Sequence, residues 1–305
     1  MTFDIKQRYH TLKIRSLVTC AIRDFFTCNH FLEVDTPVRC PNIIPEAQID
    51  PVTSGDCFLQ ASPELCMKRL LSQGFDKIFQ ICKTFRKNER GPFHLPELTL
   101  LEWYSIDSTY LDLMDQCQAL ILFIAEQLAG KSQIDYQGKT IDLKIPWQKL
   151  SVKNAFNRYA DISLEAALKK KRFDEIISFQ IEPHLGNNAP TFLVDYPASL
   201  ASLAKLAPDD PTCAQRVEFY MAGIEIGNGF TELTDPVEQK ERFKKENIIR
   251  QQQGKNPLPM PYKFLKDLEF MPPAAGMALG VDRLVMLFAN APSIDKAVAF
   301  TPEDL

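Results

Sequence analysis

The chain has 305 residues, of which 45% are hydrophobic and 24% charged, and its formal net charge is −4. This composition is typical of a globular protein with one large domain or two small ones, and it excludes a disordered chain and a collagen-like repeat. Because 35 Lys and Arg stand against 39 Asp and Glu, the chain lacks the basic field of proteins that mainly grip a nucleic-acid backbone.

The N-terminal segment is charged throughout and lacks the apolar centre of a signal peptide. No later stretch is apolar over the length that a membrane span requires, so the sequence predicts a cytoplasmic protein without a membrane segment. None of the eight cysteines belongs to a Cys-x-x-Cys pair, and the four histidines are scattered. We therefore expect reduced, mostly packed cysteines and no zinc site.

The first predicted elements are a helix and a strand. Apolar residues on one face predict a helix over Leu12–Asn29, with Phe25 and Phe26 on that face. Phe31–Thr36 has the composition of a strand and is ended by Pro37. The connection that follows, up to residue 56, shows no clear periodicity.

A short helix then precedes two strands. Ser62 suits the N-cap and Pro63 the first position of a helix that ends at Leu71. Alternation predicts two strands joined by a turn-rich segment, over Lys77–Arg86 and Leu98–Tyr104. In the second strand four side chains share one face: Leu98, Leu100, Glu102 and Tyr104.

The rest of the chain adds helices, a strand pair and a hairpin that turns at Ala222-Gly223. Because strands outnumber β-α-β units, we predict an α+β fold with an antiparallel β-sheet flanked by helices. These elements are a helix over 110–128, a strand pair near Ile134–Leu143, the hairpin Arg216–Met221 and Ile224–Phe230, a polar helix over Glu238–Gln253, and a glycine-rich segment from Gly276 that turns at Asp282-Arg283 into an apolar helix ending at Ala289.

Two pairs of residues point to nucleotide chemistry. Arg86 ends a predicted strand and the loop after it carries His94, so this pair can clamp a triphosphate. Glu218 and Glu225 lie on the two strands of the hairpin, where carboxylate oxygens can hold Mg²⁺ that bridges phosphates. The alternatives are an ordinary hairpin with a charged tip and a set of scattered surface acids.

A third cluster is the segment Gly276–Leu284. Its small residues let the backbone approach a ligand closely, and Arg283 opens the following helix. The alternative is that small residues are needed there for packing a helix on a strand.

The three clusters occur in the order of the signature motifs of class II aminoacyl-tRNA synthetases, which the chain resembles. Motif 1 matches Leu12–Pro37, motif 2 matches Phe85-Arg86 through Glu102, and motif 3 matches Gly276–Leu284. Within that class the chain resembles the lysyl branch, through Ser62-Pro63-Glu64 with Met67–Leu70 and through Glu225–Leu233. The resemblance covers essentially the whole chain and implies one class II catalytic domain over residues 1–305.

The resemblance implies a two-step ligase reaction that uses ATP and Mg²⁺. An amino-acid carboxylate attacks the α-phosphate of ATP, and an acceptor nucleophile then takes the acyl group and releases AMP. By family match the ATP-binding residues are Arg86, Asn88, His94, Leu98, Glu218, Glu225 and Arg283, of which Arg86 and Arg283 are catalytic and Glu218 and Glu225 bind the metal. The matched substrate-binding residues are Ser62, Glu64, Glu102, Tyr104, Asn228, Glu232, Ala278 and Gly280.

The family match also assigns the two amines of a lysine-like substrate. Glu64, helped by Asn228, is matched to the amine beside the reacting carboxylate. Glu232 and Tyr104 are matched to the distal ε-ammonium, where an unpaired charged group would reject amino acids that lack it.

Lysyl-tRNA synthetases carry an N-terminal domain that reads the anticodon, whereas here the motif 1 helix begins within the first dozen residues. We therefore expect no anticodon-binding domain and no anticodon-type tRNA recognition. The chain is similar to the ligases that attach (R)-β-lysine to a lysine of elongation factor P. Ala278 replaces a motif 3 glycine, as in those ligases, and Asn42–Pro51 lacks the Gly-Gly-Ala element of lysyl-tRNA synthetases. The expected partners are (R)-β-lysine or lysine and elongation factor P.

Motif 1 forms the subunit interface across class II enzymes, so the resemblance implies a homodimer. The alternative is that the face carrying Phe25 and Phe26 packs inside one subunit.

Two positions depart from the family's pattern. Asn88 stands where an adenine-contacting glutamate is usual, and Leu98 replaces the phenylalanine expected to stack on adenine. We expect weakened ATP affinity rather than lost chemistry, because the residues matched to phosphate and metal are present. The departures also leave open a non-catalytic, amino-acid-sensing paralogue. A third hypothesis is a lysine-activating synthetase that acts on tRNA or on a small acceptor.

Overall fold

An eight-stranded sheet carries the fold. The structure is a computed structural model that describes residues 5–305. None of the helices in that range is both long and apolar enough to cross a bilayer. The strands are β1 Leu32–Glu33, β2 Arg39–Cys40, β3 Val52–Ser54, β4 Cys57–Leu59, β5 Lys77–Phe85, β6 Glu97–Ile106, β7 Gln133–Tyr136, β8 Lys139–Asp142, β9 Gln148–Ser151, β10 Thr191–Pro197, β11 Cys213–Met221, β12 Ile224–Thr231 and β13 Ala274–Gly280. The helices are α1 Ile5–Cys28, α2 Glu64–Leu71, α3 Tyr110–Ala129, α4 Val152–Tyr159, α5 Leu164–Lys169, α6 Phe173–Ile176, α7 Pro236–Gln252, α8 Tyr262–Leu268 and α9 Val281–Phe288.

The strand order of the large sheet is β1-β5-β6-β13-β12-β11-β10-β9. Neighbouring strands run antiparallel, except that β1 pairs in parallel with β5 and β9 with β10. The predicted α+β fold with an antiparallel sheet flanked by helices is therefore confirmed, and the two edge strands add parallel pairings. β13, the last strand in the chain, lies in the centre and joins the two halves of the sheet.

Aromatic side chains fill the core between α1, α3, α9 and one face of the sheet. Phe26 is fully buried, with its ring centroid 4.9 Å from that of Phe79 and 5.2 Å from that of Trp103. Phe25 is also buried and contacts Phe123. The alternative prediction for motif 1 is thus confirmed, because this face packs inside one chain. The homodimer stays a prediction.

Asp282 links the N-terminal end of α9 to strand β6 and helix α1. Its carboxylate accepts a hydrogen bond from the Thr99 amide at 2.7 Å and pairs with Arg15 of α1.

The turn predicted at Asp282-Arg283 is wrong. Both residues lie in the first turn of α9, because Gly280 ends β13 and serves as the N-cap.

Other predicted boundaries also differ from the structure, and the helix expected over Leu12–Asn29 in fact spans Ile5–Cys28. The strand expected over Phe31–Thr36 is reduced to Leu32–Glu33. Pro63 rather than Ser62 occupies the N-cap of α2, although the Ser62 hydroxyl still accepts a hydrogen bond from the Glu64 amide at 3.0 Å. Ser62 thus satisfies one of the free amide groups of the first turn from one position further out.

Candidate active site

A cavity of about 870 Å³ opens on the sheet face turned away from Trp103. One predicted site residue, Glu232, is not among the lining residues and is almost fully buried, but its Oε1 atom lies next to Gly276, which does line the cavity. The other predicted residues all line the cavity: Ser62, Glu64, Arg86, Asn88, His94, Leu98, Glu102, Tyr104, Glu218, Glu225, Asn228, Ala278, Gly280 and Arg283.

Strand β6 explains how several of these residues come together. The four side chains predicted to share one face, at positions 98, 100, 102 and 104, all line the cavity. Leu101 and Trp103, between them, are fully buried in the core on the opposite face. This prediction from the period of two is confirmed.

Glu102 is held by hydroxyl groups at both carboxylate oxygens. The Ser62 hydroxyl donates to Oε1 at 2.6 Å, and the Tyr104 hydroxyl donates to Oε2 at 2.9 Å. Burial, together with the neighbouring Glu64 carboxylate, raises the pKa of Glu102 to about 7. Burial and Glu102 also hold the pKa of Tyr104 well above its usual range, so that phenol stays a donor. The two hydrogen bonds orient the Glu102 carboxylate but do not neutralise its charge.

Lys68 is a buried cation between two of the predicted acids. Its ammonium pairs with Glu64, one helical turn earlier on α2, and with Glu232. It also lies 5.1 Å from the ring centroid of Phe230. Burial lowers the pKa of Lys68, but the two carboxylates outweigh this effect and raise it overall, so the ammonium stays charged.

Gly276 leaves room for a ligand at the end of the cavity that Glu64, Glu102 and Tyr104 line, which we call the closed end. A Cβ at this position would lie 2.2 Å from Cε1 of Tyr104 and 2.7 Å from Oε1 of Glu232, well inside van der Waals contact. That Oε1 atom receives no hydrogen bond from any residue in the range 5–305. Burial, opposed by Lys68, raises the pKa of Glu232 to about 8. A cation placed above Gly276 would therefore meet a carboxylate oxygen that still lacks a partner.

At the other end, Arg283 joins the loop between β5 and β6 to strand β12. Its guanidinium donates to the Phe93 carbonyl at 3.1 Å and to the Glu225 carbonyl at 2.7 Å. One Nη atom lies 2.7 Å from Nε2 of His94. Loss of hydration and the charge of Arg283 lower the pKa of His94, which favours the neutral ring. This end of the cavity therefore presents a guanidinium and an imidazole together.

Arg86 has donor capacity that the protein does not use. Its Nη1 lies 3.6 Å from Glu89, and its buried Nε has no hydrogen-bond partner within residues 5–305. The Arg86 amide donates to the Pro96 carbonyl at 2.9 Å, which fixes the backbone here. A buried donor without a partner is a candidate for binding an anion. Asn88, two residues on, is exposed and has a φ of 66°, in the left-handed region.

Glu218 and Glu225 are the candidate metal ligands. Glu218 accepts hydrogen bonds from Arg216 at 2.8 Å and from the Tyr220 hydroxyl at 2.6 Å, and a further one from Tyr196. Burial raises the pKa of Glu218, and the nearby Glu225 adds to this increase. No group of three His, Cys, Asp or Glu able to hold a metal occurs among residues 5–305. Since Mg²⁺ commonly binds through one or two carboxylates plus substrate phosphates, this pair fits a metal that arrives with a nucleotide.

Sequence reasoning gave no role to Lys68, Arg216 or Glu46, all of which belong to the site or support it. Lys68 could have been found from its spacing of four residues after Glu64 on a helix. Arg216 lies two residues before Glu218 on the same strand face. Glu46 lies in a segment without periodicity, so no local signal marks it.

Comparisons with known proteins place these features in a family. Residues 2–304 match the model of the tRNA synthetases class II (D, K and N). A protein of Vibrio cholerae serotype O1 named elongation factor P–(R)-β-lysine ligase is 36% identical, over 95% of this chain and 94% of its own length. Lysine–tRNA ligases of Carboxydothermus hydrogenoformans and Legionella pneumophila are 34% and 35% identical over 95% of this chain. The chain spans only 64% of the length of these two tRNA ligases.

Proposed function

The chain belongs to the class II tRNA synthetases (D, K and N), and on that premise we propose that it is an ATP-dependent ligase that transfers (R)-β-lysine or lysine to a lysine side chain of elongation factor P. In the first step an oxygen of the substrate carboxylate attacks the α-phosphate of ATP, and pyrophosphate leaves. In the second step the acceptor amine attacks the acyl carbon, loses a proton and releases AMP.

The observation that carries this proposal is the charge arrangement at the closed end of the cavity. Glu64, Glu102 and Glu232 supply three carboxylates, whereas Lys68 supplies one buried ammonium. The arrangement is neutralised by a substrate with two ammonium groups, such as lysine or β-lysine. Burial raises the pKa of Glu102 to about 7 and that of Glu232 to about 8, and Lys68 only partly offsets this, so both carboxyls can accept a further cation.

The open end of the cavity suits the phosphates and the reacting carboxylate. A carboxylate and an α-phosphate are both anionic, so their approach requires positive charge between them, which Arg86 can supply through its unused donors. Arg283 and His94 would bind the outer phosphates. Glu218 and Glu225 would hold Mg²⁺, which would supply positive charge to the departing pyrophosphate. Correct orientation of two bound reactants contributes on the order of 7–11 kcal/mol.

The choice of a protein acceptor is supported by the extent of the matches. The alignment with the Vibrio cholerae ligase covers 94% of that protein, whereas the tRNA ligases are covered to 64%. Ala278 adds a further argument, because it lines the cavity opposite Glu102 in the sheet. Its methyl group changes the pocket shape at a position where lysyl-tRNA synthetases keep glycine.

A labelling assay tests the proposal. The protein is incubated with ATP and radiolabelled (R)-β-lysine or lysine, and is offered elongation factor P or bulk tRNA. We expect label on elongation factor P together with AMP formation. Arg86→Ala should abolish both, which would show that the signal comes from this cavity.

The other outcomes select the alternatives. Label on tRNA alone would overturn the proposed acceptor and favour a synthetase. If neither (R)-β-lysine nor lysine leads to AMP, the result would favour the sensing paralogue. The replacements at Asn88 and Leu98 are the features that support this alternative.

We also propose a homodimer, as the family's motif 1 implies. Since Phe25 and Phe26 are internal, the contact would use the other side of α1, where Tyr9 is 71% and Leu17 is 42% exposed. Sedimentation as a 34.7 kDa monomer would contradict it.

A further inference from the structure

A loop over residues 41–51 borders the cavity and has no role in the function proposed above. Helix α7 and the residues just after it hold its backbone: Arg250 donates to the carbonyls of Glu46 at 2.9 Å and Ile49 at 3.0 Å. The Ala47 amide donates to the carboxylate of Glu246 at 2.8 Å. These bonds fix the main chain on the side of α7, while the Glu46 side chain lines the cavity.

The carboxylate of Glu46 lies within the electrostatic reach of both Glu64 and Arg86. Loss of hydration and the Glu64 charge raise the pKa of Glu46 to about 7, while Arg86 opposes that increase. Within residues 5–305 no hydrogen bond or ion pair engages the Glu46 carboxylate. It is thus a cavity carboxylate whose oxygens are free for a ligand, near the residues matched to the two ends of an amino-acid head group.

We propose that Glu46 is a specificity-determining residue that, together with Glu64, binds the substrate ammonium beside the reacting carboxylate. The proposal rests on the proposed function for the identity of the substrate. An amino acid whose carboxylate meets Arg86 and whose nearby amine meets Glu64 places that amine among three charged side chains, of which Glu46 is the third. The second carboxylate would make the site select diamino acids over ω-amino acids that carry only the distal amine.

The test compares ligands that differ in one group. Lysine and (R)-β-lysine have both amines, whereas ε-aminocaproate keeps the carboxylate and the distal amine but lacks the amine near the carboxylate. Calorimetry with the 305-residue chain gives the Kd of each ligand for the wild type and for Glu46→Gln. The substitution keeps the size of the side chain and removes only its charge.

A matched control separates charge recognition from loop position. Asp50 lies on the same loop, but its carboxylate pairs with Lys255 at 2.9 Å and does not line the cavity. Asp50→Asn therefore removes one negative charge from the same loop without changing the cavity wall.

We expect Glu46→Gln to weaken binding of lysine and β-lysine by about tenfold or more, as for a lost charge-assisted hydrogen bond. Binding of ε-aminocaproate should change by less than about twofold, and Asp50→Asn should leave the ratio of the affinities unchanged. An equal loss for all three ligands, or no loss for lysine and β-lysine, would overturn the role of Glu46.

Failure of the proposed function has a different signature. If the ligands bind with the expected pattern but no AMP forms with any of them, the ligase function is wrong and the assignment of Glu46 stands. If AMP forms and Glu46→Gln keeps the full preference for diamino acids, the ligase function stands and the assignment of Glu46 is wrong.

Discussion

The two ends of the cavity are built in opposite ways. At the closed end, Glu102, Glu232 and Lys68 are each no more than 1% exposed, and Glu102 and Lys68 hold partners from other elements. At the open end, Arg86 keeps an unpartnered Nε and Asn88 is exposed. Under the proposed function, selection of the amino acid would therefore be built into the folded chain, whereas the open end would be completed only when a nucleotide binds.

This difference follows from the chemistry of each end. A site that selects a substrate ammonium over a methyl group needs carboxylates that are oriented and shielded from water before the substrate binds. A triphosphate brings its own charge and counter-ions, so the protein needs cationic donors around it that are not already neutralised by a buried carboxylate. The contrast predicts that substitutions at the closed end disturb stability and selectivity, whereas those at the open end change nucleotide affinity.

The largest expected effect is that of Lys68→Met on stability. An unchanged stability would contradict the difference between the two ends of the cavity. Removing this cation leaves Glu64 and Glu232 facing each other without a counter-charge, and breaking a buried pair costs about 3–5 kcal/mol. We expect the free energy of unfolding, measured by urea denaturation, to fall by that amount. Lys244→Met is the control, because Lys244 pairs with Glu241 on the surface, where each side chain is about half exposed. Equal losses of unfolding free energy in the two variants would show that the buried ion pairs of Lys68 contribute no more to stability than a surface ion pair.

Gly276→Ala should have the next largest effect. The added methyl group would overlap Tyr104 and Glu232 and displace both side chains, which we propose to bind the distal ammonium. A misplacement of about 1 Å lowers the rate by about a hundredfold, so we expect a loss of that size in kcat/KM for lysine in an AMP-formation assay. Gly91→Ala is the matched control, since its Cβ would meet only Nδ1 of His94 at 3.7 Å. A comparable loss in both variants would assign the effect to glycine replacement in general.

The third prediction concerns pH. The pKa of Glu102, about 7, and that of Glu232, about 8, lie above the value of an unfolded carboxyl. The ligand-free protein therefore holds extra protons, and the stability from these groups is lost as pH rises through 7 and 8. A cationic ligand prefers the ionised carboxylates, so lysine should bind about tenfold more tightly at pH 8 than at pH 6, with proton release.

Calorimetry in buffers of different ionisation enthalpy measures that proton release directly. Glu232→Gln removes one of the two groups and should flatten the pH profile. Tighter binding at pH 6 than at pH 8 would contradict the assigned protonation states.

The smallest effect is expected at the open end, from Leu98→Phe. Leu98 lines the cavity where the family places an aromatic ring, and stacking on a base contributes about 1–3 kcal/mol. Because leucine already supplies part of that contact, the gain should be smaller, about 0.7–1.4 kcal/mol, so the KM for ATP should fall by about threefold to tenfold while the KM for lysine stays unchanged. An unchanged KM for ATP would show that Leu98 does not account for the nucleotide affinity of this chain.

Local sequence patterns predicted one wall of the site but not its charge balance. The alternation around Glu102 and the Ala222-Gly223 turn before Glu225 follow from backbone geometry within a few residues, so these elements were predicted with their correct faces. The ion pair of Lys68 with Glu232 joins residues far apart in the chain and depends on the packing of α2 against the sheet. Glu46 is placed by Arg250 of α7, which no local pattern indicates.

The position of β13 also has a consequence for how the protein is made. This strand pairs with β6 on one side and β12 on the other, yet both partners precede it in the chain and leave the ribosome before it. Until then the nascent chain can form only two half-sheets, each with a long unpaired edge of the kind that invites aggregation. Folding of the sheet is therefore completed only once β13 has been made, and a chaperone that covers the edges of β6 and β12 until then would favour it.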